Sequence, residues 1–178
     1  MAKLVAKGGG QRRYNIPNIA PDGVFAARCI DILETYNVEE EEYGKPGSMV
    51  TRDKMTILFS AKTLDGTESY LVQTKEFNIS GSPKSNIVGF IKSWMGKAPP
   101  PAFDTYELIG KTAQLSVVQK TSPRGTVYAE ISSISVLMDE SKAPAMGEVE
   151  IPGGARVQLT AAGSVSSDES EGGGKDPF

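Results

Sequence analysis

SPKSNIVGFIKSWMG, residues 82–96, sets the reading of everything around it. Ser82 is placed to cap free amides, and Pro83 then falls at the first helical position, where a missing N–H costs nothing. Ile87, Phe90, Ile91 and Trp94 recur at i, i+3, i+4 and i+7, the spacing of one buried helical face. Gly96 supplies a left-handed stop. Trp94 shares the phase of Ile87 and Ile91, so it belongs to the core rather than to a binding surface. The flanking segments alternate as strands do, three before the helix and two after. The order is βββ-α-ββ.

Asp22-Gly23 is a turn signal, and residues 24–36 follow as a long first strand. Its alternation slips between Ile30 and Leu33, which a bulge would explain. The acidic run at residues 39–42 and Tyr43-Gly44-Lys45-Pro46-Gly47 read as an exposed loop. Strand two, residues 52–61, sets Met55, Ile57 and Phe59 on one face and Arg52, Lys54, Thr56 and Leu58 on the other. Asp65-Gly66 turns the chain into strand three, residues 69–79. Tyr70, Val72 and Thr74 lie on one side of it, and Leu71, Gln73, Lys75 and Phe77 on the other; which side is core stays open. Past a stiff Pro99-Pro100-Pro101 connector, residues 103–109 add a short helical turn. Strand four, residues 112–120, turns Ala113, Leu115 and Val117 inward. After a turn at residues 121–126, strand five, residues 127–137, turns Val127, Ala129 and Ile131 inward, with Tyr128 and Glu130 outward.

One helix between strands three and four of five is the order of an OB-fold, a small Greek-key barrel. Its strand 2–3 face and its L12 and L45 loops commonly bind oligonucleotides. The expected class is therefore all-β with one helix, a five-stranded barrel. The expected organisation is a flexible arm at residues 1–21, the barrel at 22–138, and a tail at 139–178. That tail is rich in Ser, Gly and acids and too poor in apolar residues to fold alone. Residues 1–138 hold 16 Lys and Arg against 14 Asp and Glu, whereas residues 139–178 hold 3 against 8. A mildly basic body with an acidic tail suits contact with an anionic polymer.

Two absences prune the functions. With no histidine among 178 residues, His-based acid–base chemistry and His-ligated metal sites are excluded. The single cysteine, Cys29, sits in an apolar strand, reads as a small buried hydrophobe, and lacks the base a nucleophile needs. The expectation is a non-enzyme with no cofactor and no metal. No apolar run approaches the ~18 residues of a membrane span. Residues 1–10 lack the apolar core of a signal peptide, so a cytoplasmic address is expected.

Residues 23–137 resemble a group of small phage-encoded OB-fold proteins thought to bind single-stranded DNA. The likeness is carried by Asp22-Gly23-Val24-Phe25 with Ala27-Arg28-Cys29, by Trp94-Met95-Gly96-Lys97, and by Phe103-Asp104. Leu108-Ile109-Gly110-Lys111 and Gly125-Thr126-Val127-Tyr128-Ala129 complete it. The C-terminus is similar to the acidic tail of bacterial single-stranded DNA-binding proteins, whose Asp-Ile-Pro-Phe-like tip docks on partner enzymes. Here it reads Asp168-Glu169-Ser170-Glu171 and then Asp176, Pro177 and Phe178, departing from that pattern by Lys175 and by fewer acids. The resemblances imply a protein of a bacterial host's cytoplasm that coats single strands during DNA replication or recombination. They also imply recruitment of replication or recombination proteins through the tip, and leave a homo-oligomer open.

Binding a single strand without sequence preference needs aromatic faces for stacking and cations along the phosphates. The candidate aromatics are Tyr43, Tyr70, Phe77 and Tyr128, with Tyr36 behind them. The candidate cations are Arg52, Lys54, Lys62, Lys75, Lys120 and Arg124. Two other readings stay open: an OB-like interaction or structural module of a phage complex, and an RNA-binding protein, since nothing in the sequence reads or excludes a 2′-hydroxyl.

Overall fold

The computed structural model describes residues 13–152. Six strands form one antiparallel sheet: β1 (Gly23–Glu41), β2 (Met49–Thr63), β3 (Ser69–Gln73), β4 (Phe77–Asn78), β5 (Thr112–Thr121) and β6 (Val127–Ser135). One α-helix, α1 (Asn86–Met95), lies between β4 and β5 in the chain. Neighbouring strands run β3-β2-β1-β5-β6, with β4 also on β2. β3 and β6 are therefore the two edges. They approach one another, but among the described residues no ladder joins them.

The helix starts later than the sequence suggests. Ser85, not Ser82, caps it, its hydroxyl accepting from the Val88 amide at 3.3 Å. The Ser82 carbonyl instead accepts from the Ser85 amide at 2.9 Å, which places Pro83 at the second position of a turn, where its fixed φ is favoured. Gly96 ends the helix at φ 81°, as its position implies. Ile87, Ile91 and Trp94 are buried against the sheet, and the Trp94 indole donates to the Thr112 carbonyl at 2.7 Å. Satisfying that one polar atom lets a large ring sit wholly inside.

A bulge does interrupt β1: its register with β2 shifts between Cys29 and Asp31. Phe25, Ala27, Cys29 and Ile32 consequently face the main core with Met55, Ile57 and Phe59 of β2 and Ala113, Leu115 and Val117 of β5. Ile30 and Leu33 are thrown to the opposite face. There they meet Leu58, Tyr14, Ile16, Leu71 and Ile151 in a second cluster. A second shift lies between Thr35 and Val38, with Asn37 at φ 57°. Past it the strand continues to Glu41, so most of the acidic run belongs to β1 rather than to a loop.

Expected strand three is two strands. The chain leaves the ladder at residues 74–76 and returns at β4. The break shifts the alternation, so Tyr70 and Val72 before it and Phe77 after it all turn to the main core. At the far end, Val127 is 45% exposed at the start of β6, leaving Ala129 and Ile131 as the residues that pack inward there.

Both flanking segments pack where they are described. Residues 13–21 are irregular in backbone, yet Tyr14 and Ala20 are buried. The Tyr14 amide donates to the Gln73 side chain, which donates back to the Tyr14 carbonyl, both at 2.9 Å. Its phenol donates to Asp31, a carboxylate buried in β1, at 2.8 Å. From the other end, the Pro144 carbonyl accepts from Arg28 at 2.7 Å and Glu148 pairs with Lys62 at 3.0 Å. Residues 1–12 and 153–178, with the tip Asp176, Pro177 and Phe178, lie outside the described residues.

Candidate nucleic-acid interface

The nine sequence-derived contact residues do not form one surface. Arg52 and Lys54 project from the outer face of β2 and converge on one carboxylate, Glu40, at 2.9 and 2.7 Å. The hydrogen bond from Lys54 is the main reason that the Glu40 carboxyl is held below its ordinary range. Lys54 is itself buried, at 8% exposure. With Lys62 tied to Glu148, all three candidate cations of β2 serve to close the chain on itself. An ammonium already desolvated beside its counterion would have to give that contact up before a phosphate gained anything.

The aromatics divide as sharply. Phe77 is 3% exposed, its ring 5.1 Å from that of Phe90, so it cannot serve as a stacking platform. Tyr70 packs edge-on against Phe25, with centroids 5.9 Å apart, and its hydroxyl donates to Glu68. Tyr128 is 39% exposed on the outer face of β6.

Tyr128 stands directly across the ladder from Lys120 of β5. Arg124 is exposed in the turn that joins the two strands. Serine organises that turn: the Ser122 hydroxyl accepts from the Arg124 and Thr126 amides at 3.3 and 3.1 Å, and Gly125 takes φ 88°. An aromatic face, an ammonium opposite it and a guanidinium at the tip thus share one hairpin. Lys120 pairs with Glu130 at 2.8 Å, but both side chains are about half exposed, at 52% and 42%. The hydrogen bond that Lys120 donates to Glu130 raises the lysine's pKa. Such an exposed, solvent-screened pair adds little, so a phosphate can compete for the lysine. The hairpin also borders a cleft of about 200 Å³ between the two sheet edges, where Val127, Tyr128 and Ala129 face Leu71, Val72 and Gln73 across the residue 13–19 segment.

Lys75 sits apart, exposed beside the Phe77 ring with its ammonium 5.9 Å from the centroid. Tyr43 is 99% exposed, but it follows the acidic run at residues 39–42, and the cation of its loop, Lys45, pairs with Glu42 at 3.4 Å. Tyr36 and Tyr106 both donate to Glu34, the latter at 2.6 Å, a carboxylate–phenol cluster that sequence spacing could not disclose. Burial first and Glu34 second push the Tyr36 phenol up to about 12, and Tyr106 moves in the same direction. Cys29 is fully buried, which pushes its thiol up and removes it from chemistry at neutral pH.

No protein-family model, no curated protein and no solved structure matches this chain. Among the described residues no helix is long and apolar enough to cross a membrane.

Proposed function

We propose that this chain is an OB-type protein that binds single-stranded DNA without strong sequence preference, through the outer face of the β5–β6 hairpin. The observation that carries the reading is the cross-strand pair of Lys120 and half-exposed Tyr128, with Arg124 at the adjoining turn. A stacked base is worth ~1–3 kcal/mol on such a ring whatever its identity, and the two cations track the adjoining phosphates. The strand order β3-β2-β1-β5-β6, with β3 and β6 near one another, supports the OB assignment, closure of the barrel being the finer part of the proposal. Within this reading the protein acts on replication or recombination intermediates, in keeping with the phage-group resemblance. The Asp176-Pro177-Phe178 tip takes the role of recruiting partner proteins.

The experiment is a titration of fluorescent oligo-dT against a duplex of equal length over a range of salt. With two to three phosphates neutralised, log K should fall against log salt with a slope of about −1.4 to −2.1, at ~0.7 per phosphate on single strands. Equal affinity for the two DNA forms refutes the stacking model. A protein-interaction module is the rival reading, favoured by Arg52, Lys54 and Lys62 being bound to carboxylates of the same chain. Its signature is the absence of salt-sensitive binding to any oligonucleotide, RNA included.

A further inference from the structure

We propose that the groove between α1 and the free edge of β6 is a pocket for one unstacked nucleobase, with Lys75 at its mouth for the adjoining phosphate; this rests on the single-strand reading above. The groove encloses about 350 Å³. That lies at the small end of ligand pockets, which run from ~300 to ~1,000 Å³, and suits one nucleotide better than a peptide strand.

Its helical wall is the stripe Asn86, Gly89, Phe90 and Ser93, next to the face that buries Ile87, Ile91 and Trp94. Gly89 has no side chain to fill the space, and a Cβ built there meets nothing within 4 Å. Phe90, held against Phe77 with centroids 5.1 Å apart, supplies a fixed aromatic surface. The opposite wall is β6 itself, from Glu130 to Ile134. One side of this strand is bonded to β5, and among the described residues no backbone hydrogen bond reaches it from the other.

An unpaired strand edge presents N–H and C=O groups in alternation. A base edge presents the same alternation of donors and acceptors, so the two are matched in kind. Asn86, Ser93 and Ser133 add side-chain groups, none of which is hydrogen-bonded among the described residues. The one carboxylate on the wall, Glu130, is paired to Lys120, so it does not oppose a phosphate at Lys75 with a bare charge. The Lys120–Glu130 pair also joins the two features, because Tyr128 and Glu130 lie on one face of β6. A strand stacked on Tyr128 passes the groove one nucleotide further along.

Gly89→Leu in the full chain tests this. Leucine fills the groove, and replacing a mid-helix glycine raises helix propensity, so the melting temperature should hold or rise. Oligo-dT affinity should fall about five- to tenfold, the loss of one weakly stacked base. Lys120→Ala is measured beside it as a report on the hairpin. In parallel, adding oligo-dT should shift the amide resonances of Ile131, Ser132 and Ser133. Native-like affinity of Gly89→Leu, or unmoved β6 amides, while Lys120→Ala is weakened, overturns the pocket and leaves the hairpin reading standing. No oligonucleotide binding by the native chain overturns both.

Discussion

The outer face of β1–β2 and the outer face of β5–β6 are built from the same kinds of residue and meet opposite fates. Each strand pair alternates, and each outer face carries cations. On β1–β2 that face holds Ile30, Leu33 and Leu58 as well, and the chain's own Tyr14, Ile16 and Ile151 cover them. Its lysines and arginine close onto Glu40 and Glu148. On β5–β6 the corresponding positions hold Gln114, Ser116, Lys120, Tyr128 and Ser133, and residues 13–19 border this face at the cleft they share with Tyr128. Apolar residues on a second face recruit a cover, and the cover brings counterions with it. The β5–β6 face adds no residue to that second apolar cluster, and Lys120, Arg124 and Tyr128 stay exposed on it.

The largest effect separates a core aromatic from a surface one. Phe77→Ala removes a ring from the main core and should cost ~3–5 kcal/mol of stability, read by chemical denaturation. Leu58→Ala should cost ~2–5 kcal/mol if the covered face is a true core. Tyr128→Ala should leave the melting temperature nearly unchanged and weaken oligonucleotide binding by ~1–3 kcal/mol. A Leu58→Ala variant as stable as the native chain would mean the cover is loose. In that event the β1–β2 face returns as a candidate interface.

Why the two faces could not be told apart in advance is visible in particular residues. Element order, the helix phase and the β1 bulge were legible, because the periods of Ile87–Trp94 and of β2 are strong and the slip at Ile30 is local. The one-residue shift of phase across residues 74–76 was not, since nothing in Thr-Lys-Glu breaks a strand by propensity. It is that break which sends Phe77 inward. The cover was hidden for a different reason: Tyr14 reaches Asp31, and Glu148 reaches Lys62, through contacts set by the fold and not by spacing. Alternation alone placed Tyr128 outward, out of phase with Ala129 and Ile131, just as it placed Ala113, Leu115 and Val117 inward.

A smaller effect sharpens the comparison at high pH. Tyr36 and Tyr106 share Glu34, which stands across the ladder from Met55 on the main-core face, and the folded chain holds both phenols neutral beyond their ordinary range. A group whose folded pKa is raised contributes stability that is present below its unfolded value and lost as pH climbs through the folded one. The window for Tyr36 therefore runs from ~10, the unfolded value, up to about 12. Phenolate absorbance should show at least one late-titrating tyrosine, and Tyr36→Phe should remove part of the loss of melting temperature across that window. All tyrosines titrating together near 10 would contradict the cluster.

The smallest expected effect separates the two sets of cations by salt alone. Each lysine or arginine that touches a phosphate on a single strand adds about 0.7 to the steepness of log K against log salt. Lys120 and Arg124 are exposed, and Lys120 leaves Glu130 at small cost, so Lys120→Ala and Arg124→Ala should each flatten the slope by about that amount. Arg52 and Lys62 are tied to carboxylates of the covered face, so Arg52→Ala and Lys62→Ala should leave the slope where it is. Affinity at a single salt concentration does not discriminate, because any lost positive charge weakens binding a little through the long-range field. The slope does, since it counts only ions released at contact. If Arg52→Ala flattens it as much as Lys120→Ala, the Glu40 pair opens to DNA. The ligand then runs across both faces.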